Sequence, residues 1–265
     1  MNMYNFDNKT FLITGVANKK SVAYFSAKTL QDLGAKLIFT VLNTEIKERV
    51  LKLFPESEIY LLDVESEAAI KDFGLEIEKK KIILDGFLHS IAFANYSEGI
   101  RPFHETNLKD YLQASTISCF SLTMLSRALK NVLTSEASVV TVSISNTKAT
   151  NYGYMGPIKA SLDSTVAFLA KSFSKDSYVR FNAVCAGPLK TSASAGIPGY
   201  VENYLFAEQL TMRHKALDTQ EVANSIVFLL SPLSSGINAT GLVVDAGMSA
   251  NYFDESVVEA YSKNL

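Results

Sequence analysis

A chain of 265 residues, 48% hydrophobic and 20% charged, can bury a large core, and its length suits one α/β domain. Its 25 basic and 27 acidic residues leave a formal charge of −2, no electrostatic footprint for nucleic acid or an anionic membrane, so neither partner is expected. The two cysteines, Cys119 and Cys185, each fall in an apolar run, which points to buried free thiols in a reducing compartment rather than a disulfide or metal pair. The opening stretch 1–7 has neither the basic nor the apolar region of a secretory signal, and a cytoplasmic location is expected.

In chain order, short β-branched or aliphatic runs at Thr10–Thr14, Lys36–Val41, 59–62, Leu84–His89, 138–143 and 180–184 read as buried parallel strands. Amphipathic patterns at 21–33, 45–53, 66–80, 108–133 and 156–174 read as helices between them, and a last unit pairs a helix at Thr219–Leu230 with a strand at 240–245. The uncharged stretch 222–244 is not a membrane span, because Ser231-Pro232, Ser234-Ser235-Gly236 and Asn238 divide it into a helix end, a loop and a strand. This alternation specifies a single Rossmann-type doubly wound α/β domain over 1–265, with a seven-stranded, mainly parallel sheet flanked by helices. Residues 186–215 are weakly patterned and follow a strand's carboxyl end, which makes them a candidate substrate lid.

Several strand ends carry residues suited to a nucleotide. After the first strand, Gly15 lets backbone approach a pyrophosphate, and Ser21 with the following helix N-terminus offers donors to it. With one glycine, the same turn is also ordinary α/β punctuation. Asp63-Val64 closes the third strand, where an acid can meet an adenine amino group, although a helix cap fits Asp63 equally well. Ser90-Ile91-Ala92-Phe93 follows the fourth, where small residues leave room for a cofactor. Tyr152 and Lys159 stand in Asn151-Tyr152-Gly-Tyr154-Met155-Gly156-Pro-Ile-Lys159; in an arbitrary chain they would be a packed loop tyrosine and an exposed helix lysine.

Taken with Asn182-Ala183, Ala186-Gly-Pro188-Leu189-Lys-Thr191-x-Ala193 and Gly196-Ile197, these segments resemble the NADH-dependent enoyl-[acyl-carrier-protein] reductases of bacterial type II fatty acid synthesis. Those enzymes are divergent short-chain dehydrogenases/reductases, and the resemblance extends through Gly241 and Val244-Asp245-x-Gly247. Its most specific element is Tyr-x6-Lys with Met-Gly between; ordinary short-chain dehydrogenases use Tyr-x3-Lys, and the position four before Lys159 is Met155. The resemblance implies reduction of a trans-2-enoyl thioester on acyl carrier protein by NADH, with NADPH left open, in fatty acid elongation. Hydride addition at the β-carbon sends charge to the thioester oxygen, so a hydroxyl aimed there lowers the barrier, and Tyr152 is the candidate. Lys159 would hold the nicotinamide ribose hydroxyls while its charge stabilises the developing enolate.

By the same resemblance, Gly15, Ser21, Val22, Asp63, Val64, Ser90, Ile91, Ala92, Lys159, Pro188, Leu189 and Thr191 would line the cofactor. Ala92, Phe93, Tyr152, Met155, Pro188 and Ala193 would border the acyl chain and nicotinamide. Pro188 and Thr191 follow the sixth strand, the expected place for a carboxamide contact. A homotetramer is also implied; helices 108–133 and 156–174 could supply intersubunit faces or pack only on their own sheet.

The pattern departs from the family at four places. Ile144 stands where a second active-site tyrosine is usual, so that group's contribution must come from Ser143, Ser145, Tyr154 or nothing. Phe25 replaces a glycine of the first helix and must point elsewhere or crowd the pyrophosphate region. Leu42 takes the place of a polar ribose contact, with no arginine adjacent for a 2′-phosphate, and Thr116 replaces an acid. These departures keep two rivals open: a short-chain reductase acting on a carbonyl, and a catalytically impaired nucleotide-binding paralogue. His89, His104 and His214 lack metal-ligand spacing, and no metal is expected.

Overall fold

The computed structural model describes residues 4, 6–191 and 194–263. Strands β1 (Thr10–Thr14), β2 (Lys36–Val41), β3 (Glu58–Leu61), β4 (Leu84–His89), β5 (Leu133–Ile144), β6 (Arg180–Ala186) and β7 (Thr240–Val244) are separated by helices too long for hairpins. They therefore pair in parallel, in the order β3-β2-β1-β4-β5-β6-β7. Chain direction across the sheet reverses between β1 and β4, and the carboxyl ends of these two strands mark the position where such sheets form a ligand-binding crevice.

Period-two alternation sends successive side chains to opposite faces. Leu12, Phe87, Val139 and Phe181 face a core closed by α3 (Glu67–Lys79), α4 (Leu108–Ser115), α5 (Ser121–Leu129) and α6 (Met155–Phe173). Ile13, Phe39, Leu88, Val140 and Val184 face a second core closed by α1 (Val22–Asp32), α2 (Thr44–Leu53) and α8 (Thr219–Leu230). Two further helices, α7 (Tyr200–Leu210) and α9 (Glu255–Ser262), lie outside these layers. Ser21, Asn43 and Ser66 cap α1, α2 and α3 by accepting from backbone N–H groups three residues on, fixing where each helix leaves the sheet.

The structure corrects three boundaries. Residues 108–133 are not one helix: α4 and α5 are joined by a π-helical segment, Thr116–Phe120, and a 3-10 turn, Lys130–Val132, ends the run. Strand β5 therefore begins at Leu133, before the apolar run at 138–143. Region 186–215 contains α7, whose apolar residues are spread around the helix rather than gathered on one face.

Arg180 opens β6 with a buried guanidinium that has, among the described residues, no carboxylate partner. Its N–H groups instead donate to the carbonyls of Leu229, Ser231 and Ser234 at 2.9–3.2 Å, just where α8 ends. Cation and helix carboxyl end thus satisfy each other. Among the described residues, no helix is long and apolar enough to cross a membrane.

Candidate active site

The turn after β1 is held against the end of β4. Gly15 has φ +84°, and a Cβ on it would stand 1.9 Å from the Ser90 carbonyl oxygen, so glycine is required there by strand-end packing as well as by backbone conformation. Ser21 spends its hydroxyl within the turn, donating to Asn18 O at 2.9 Å and accepting from Tyr24 N–H at 3.1 Å. Val22 and Val64 are buried, and Asp63 is exposed, its carboxylate accepting from Glu65 N–H at 2.9 Å while Ser66 caps α3. Phe25 does not fill the crevice: it lies off the buried face of α1, and its ring meets Tyr24 edge-on at 5.5 Å. Sequence reasoning missed Arg49, whose guanidinium crosses from α2 to the Ala17 carbonyl of this turn at 3.2 Å.

Beyond β4, Ser90 and Ile91 are half-buried and Ala92 and Phe93 are exposed. The Phe93 backbone is pinned by one side chain: Ser118 of the π segment accepts from its N–H at 2.9 Å and donates to its carbonyl at 3.0 Å. Asn95 donates to Asp110 of α4, and Tyr154 donates to the Asn95 carbonyl at 3.1 Å. Tyr154 is thus committed to holding this loop. Tyr96 donates to the Tyr152 carbonyl at 3.3 Å, tying the loop to the turn Thr150–Tyr152 that precedes α6.

Lys159, one turn into α6, is buried at the carboxyl end of β5, and its ammonium donates to Val142 O at 2.7 Å. Burial pushes its pKa down to about 8, with Asp163 and the two cysteines partly opposing that shift. An ammonium has three donors, and this bond uses one, so the remaining pair suits vicinal hydroxyls such as those of a ribose. Beneath it, His89 is buried with Nδ1 2.8 Å from Thr141 Oγ1 and Nε2 2.8 Å from Ser121 Oγ; burial first, then the Lys159 charge, push it down to about 3. It is a neutral core residue. Cys119 and Cys185 are buried free thiols. Ser143 Oγ lies in the same neighbourhood as Asp163 and Cys185 but is buried without a hydrogen bond of good geometry.

Tyr152 is pushed up to about 12, by burial first and then by the nearby Tyr200 phenol, so its hydroxyl stays protonated and can donate across the neutral range. Met155 is buried beside it at the start of α6. Past β6, Pro188 is half-buried and Leu189 buried; Thr191 and Ser194 hydrogen-bond to each other through backbone and hydroxyl groups, and Ala193 lies outside the described residues. Tyr200, which sequence reasoning also missed, bonds through its hydroxyl to both Leu189 N–H and Leu189 O, at 2.9 Å each. Its only signal in the sequence was an aromatic hydroxyl in a region without pattern.

A doubly wound sheet with a buried lysine and a protonated tyrosine at its carboxyl edge defines a nucleotide-dependent oxidoreductase of the short-chain dehydrogenase/reductase class. Residues 15–249 match the family model described as enoyl-(acyl carrier protein) reductase, and the chain belongs to that family. The chain is 35% identical over 255 residues to "Enoyl-[acyl-carrier-protein] reductase [NADPH] FabI" of Staphylococcus aureus (strain MRSA252), covering 94% of this chain and 99% of that one. It is 34% identical over 244 residues to the [NADH] FabI of Enterococcus faecalis, covering 91% and 97%. The crystal structure of the Bacillus cereus enoyl-acyl carrier protein reductase with NADP+ and indole naphthyridinone superposes with a TM-score of 0.87 at 31% identity, covering 92% of this chain and 98% of that one. Family and fold agree with the resemblance read from the motifs.

Proposed function

We propose that this protein reduces a trans-2-enoyl thioester carried on acyl carrier protein, using NADH in preference to NADPH. The observation that carries this reading is the pairing of Lys159, buried with two unused donors at the end of β5, with Tyr152, whose phenol keeps its proton. A bound nicotinamide would supply the hydride. Lys159 would hold its ribose hydroxyls, Gly15, Ser90 and Ile91 would shape the crevice that receives it, and Pro188, Leu189 and Thr191 would border its carboxamide. As charge moves to the thioester oxygen, Tyr152 donates a hydrogen bond to it, and the Lys159 cation stabilises the same charge.

The preference for NADH rests on the end of β2, where Leu42 is exposed and Arg49 of α2 is already paired with Glu45 at 2.7 Å. Phe93 and Met155 would border the acyl chain. A homotetramer is supported by large apolar side chains left exposed on the helical layer, among them Leu112, Phe120 and Phe168, and near the carboxyl terminus, Tyr252 and Phe253. Cytoplasmic fatty acid elongation is the setting that fits these features.

The test is oxidation of NADH and NADPH with crotonyl and longer 2-enoyl thioesters, for the native chain and for Tyr152→Phe. Enoyl-dependent oxidation is expected, with kcat lowered roughly 10²–10³-fold in the variant and NADH affinity retained. Unchanged turnover in Tyr152→Phe would remove that tyrosine from the mechanism. Cofactor binding without reduction of any enoyl thioester would favour the carbonyl reductase or the impaired paralogue.

A further inference from the structure

The Tyr200–Leu189 contact has an unusual form. A single phenol hydroxyl accepts from the N–H of Leu189 and donates to the C=O of the same residue, both at 2.9 Å. In extended backbone, one residue's N–H and C=O point to the same side, which is how a strand edge offers a donor and an acceptor to a partner. The Leu189 N–H and C=O are likewise turned to one side, since a single hydroxyl reaches both; they are displayed just beyond β6 at the sheet's carboxyl end and occupied by a side chain of α7. The Ser194 hydroxyl and the Thr191 N–H also donate to the Leu189 carbonyl, at 2.8 and 3.1 Å, but the Leu189 N–H has one hydrogen and Tyr200 takes it.

A primary carboxamide presents the complementary pair, an oxygen that accepts and an NH₂ that donates, with the same reach. We infer that Tyr200 is an internal competitor for the nicotinamide carboxamide: its hydroxyl fills the Leu189 backbone pair in the free protein and must leave when the cofactor's nicotinamide docks. The inference rests on the cofactor reading above and adds a coupling to it. The phenol that leaves Leu189 lies beside Tyr152, close enough to influence its titration, so docking of the nicotinamide frees a second hydroxyl next to the proposed donor. Ile144 provides none there. Tyr200 is a positioning residue in this scheme; it sets the cost of nicotinamide docking.

The experiment compares NADH with ADP-ribose, which carries the same adenosine, pyrophosphate and ribose without the carboxamide, on native protein and Tyr200→Phe. The variant keeps the ring and removes the hydroxyl. NADH affinity, followed by its fluorescence, should rise about fivefold in the variant, the equivalent of one neutral hydrogen bond. ADP-ribose affinity should not change. Equal shifts for both ligands, or NADH binding that is unchanged or weaker in the variant, would overturn the competition. Failure of the native protein to bind either ligand would instead defeat the cofactor reading, and the inference with it. Independently of the variant, a fluorotyrosine label at position 200 should change its ¹⁹F signal when NADH is added but not with ADP-ribose; a signal that stays put under saturating NADH would also overturn it.

Discussion

Replacing Lys159 with methionine keeps most of the buried stem and removes the charge, which separates what the lysine does for the fold from what it does for the ligand. Its pKa falls from 10.5 to about 8 on folding, chiefly through burial, so holding the cation inside costs about 3 kcal/mol relative to leaving it in water. Against that stands one charge-assisted hydrogen bond to Val142 O, worth about 1.5–3 kcal/mol. Lys159→Met should therefore leave stability at pH 7 unchanged or raise it by about 1 kcal/mol, while weakening NADH binding by roughly tenfold or more as the ribose donors disappear.

The sign of the pH dependence follows from the same shift. Below pH 8 the lysine is charged in both states and the folded form carries the full cost. Between about 8 and 10.5 the folded state has released a proton that the unfolded state still binds, so stability rises with pH. Roughly 1 kcal/mol of the rise falls between pH 7 and pH 9, a relative shift in Tm of about 2–4 °C for a chain of this size. Thermal melts of native and variant protein, followed by circular dichroism across that range, read the difference directly, and NADH titrations on the same samples read the ligand side. Parallel melting curves at all pH values would refute the burial argument. A loss of more than about 3 kcal/mol at pH 7 with NADH affinity intact would make Lys159 a structural residue.

Two further outcomes concern the frame around the site. Gly15→Ala puts a methyl group 1.9 Å from the Ser90 carbonyl at a φ that side chains rarely adopt, and should abolish NADH binding and lower Tm sharply; a variant with native Tm and affinity would show that the β1–β4 junction can open freely. Arg180→Met takes the guanidinium from the carbonyls of Leu229, Ser231 and Ser234, which keep the Ser138 and Ser234 hydroxyls and the Ile237 N–H as donors, and should cost about 1–3 kcal/mol in urea unfolding, with no measurable change contradicting the role assigned to that guanidinium.

The strands and the order of helices were legible because parallel strands buried on both faces leave short runs rich in aliphatic and aromatic residues, as at 37–41 and 139–142. The amino-terminal half of β5 was not, because Thr134, Ser135 and Glu136 carry neither alternation nor an apolar run. Helix α7 escaped for the opposite reason: Val201, Leu205 and Phe206 are apolar yet exposed, so its pattern has no single face. Tyr152 and Lys159 could be singled out because their spacing is local in the chain. The contacts Ser118–Phe93 and Tyr200–Leu189 could not, since a serine or tyrosine hydroxyl becomes informative only when folding brings a particular peptide group to it.

The π-helical segment Thr116–Phe120 has a consequence for how enzymes of this shape diverge. Its side chains bond back along the helix, Thr116 Oγ1 to Leu112 O at 2.9 Å and Ser121 Oγ to Ile117 O at 2.7 Å, and the wider turn accommodates one residue more than a regular helix would. Because the extra residue is taken up within that turn, deleting it would restore α-helical geometry and leave α4 and α5 facing as they do, where the same deletion in a regular helix would swing one against the other by about 100°. Asp110, which holds Asn95, would therefore keep its place, while Ser118, which holds Phe93, lies within the altered segment. Single-residue insertions and deletions at this point would therefore re-aim the part of the wall that Ser118 holds without disturbing the helices on either side, so helix length, as much as side-chain exchange, is a variable on which substrate preference in such chains can drift.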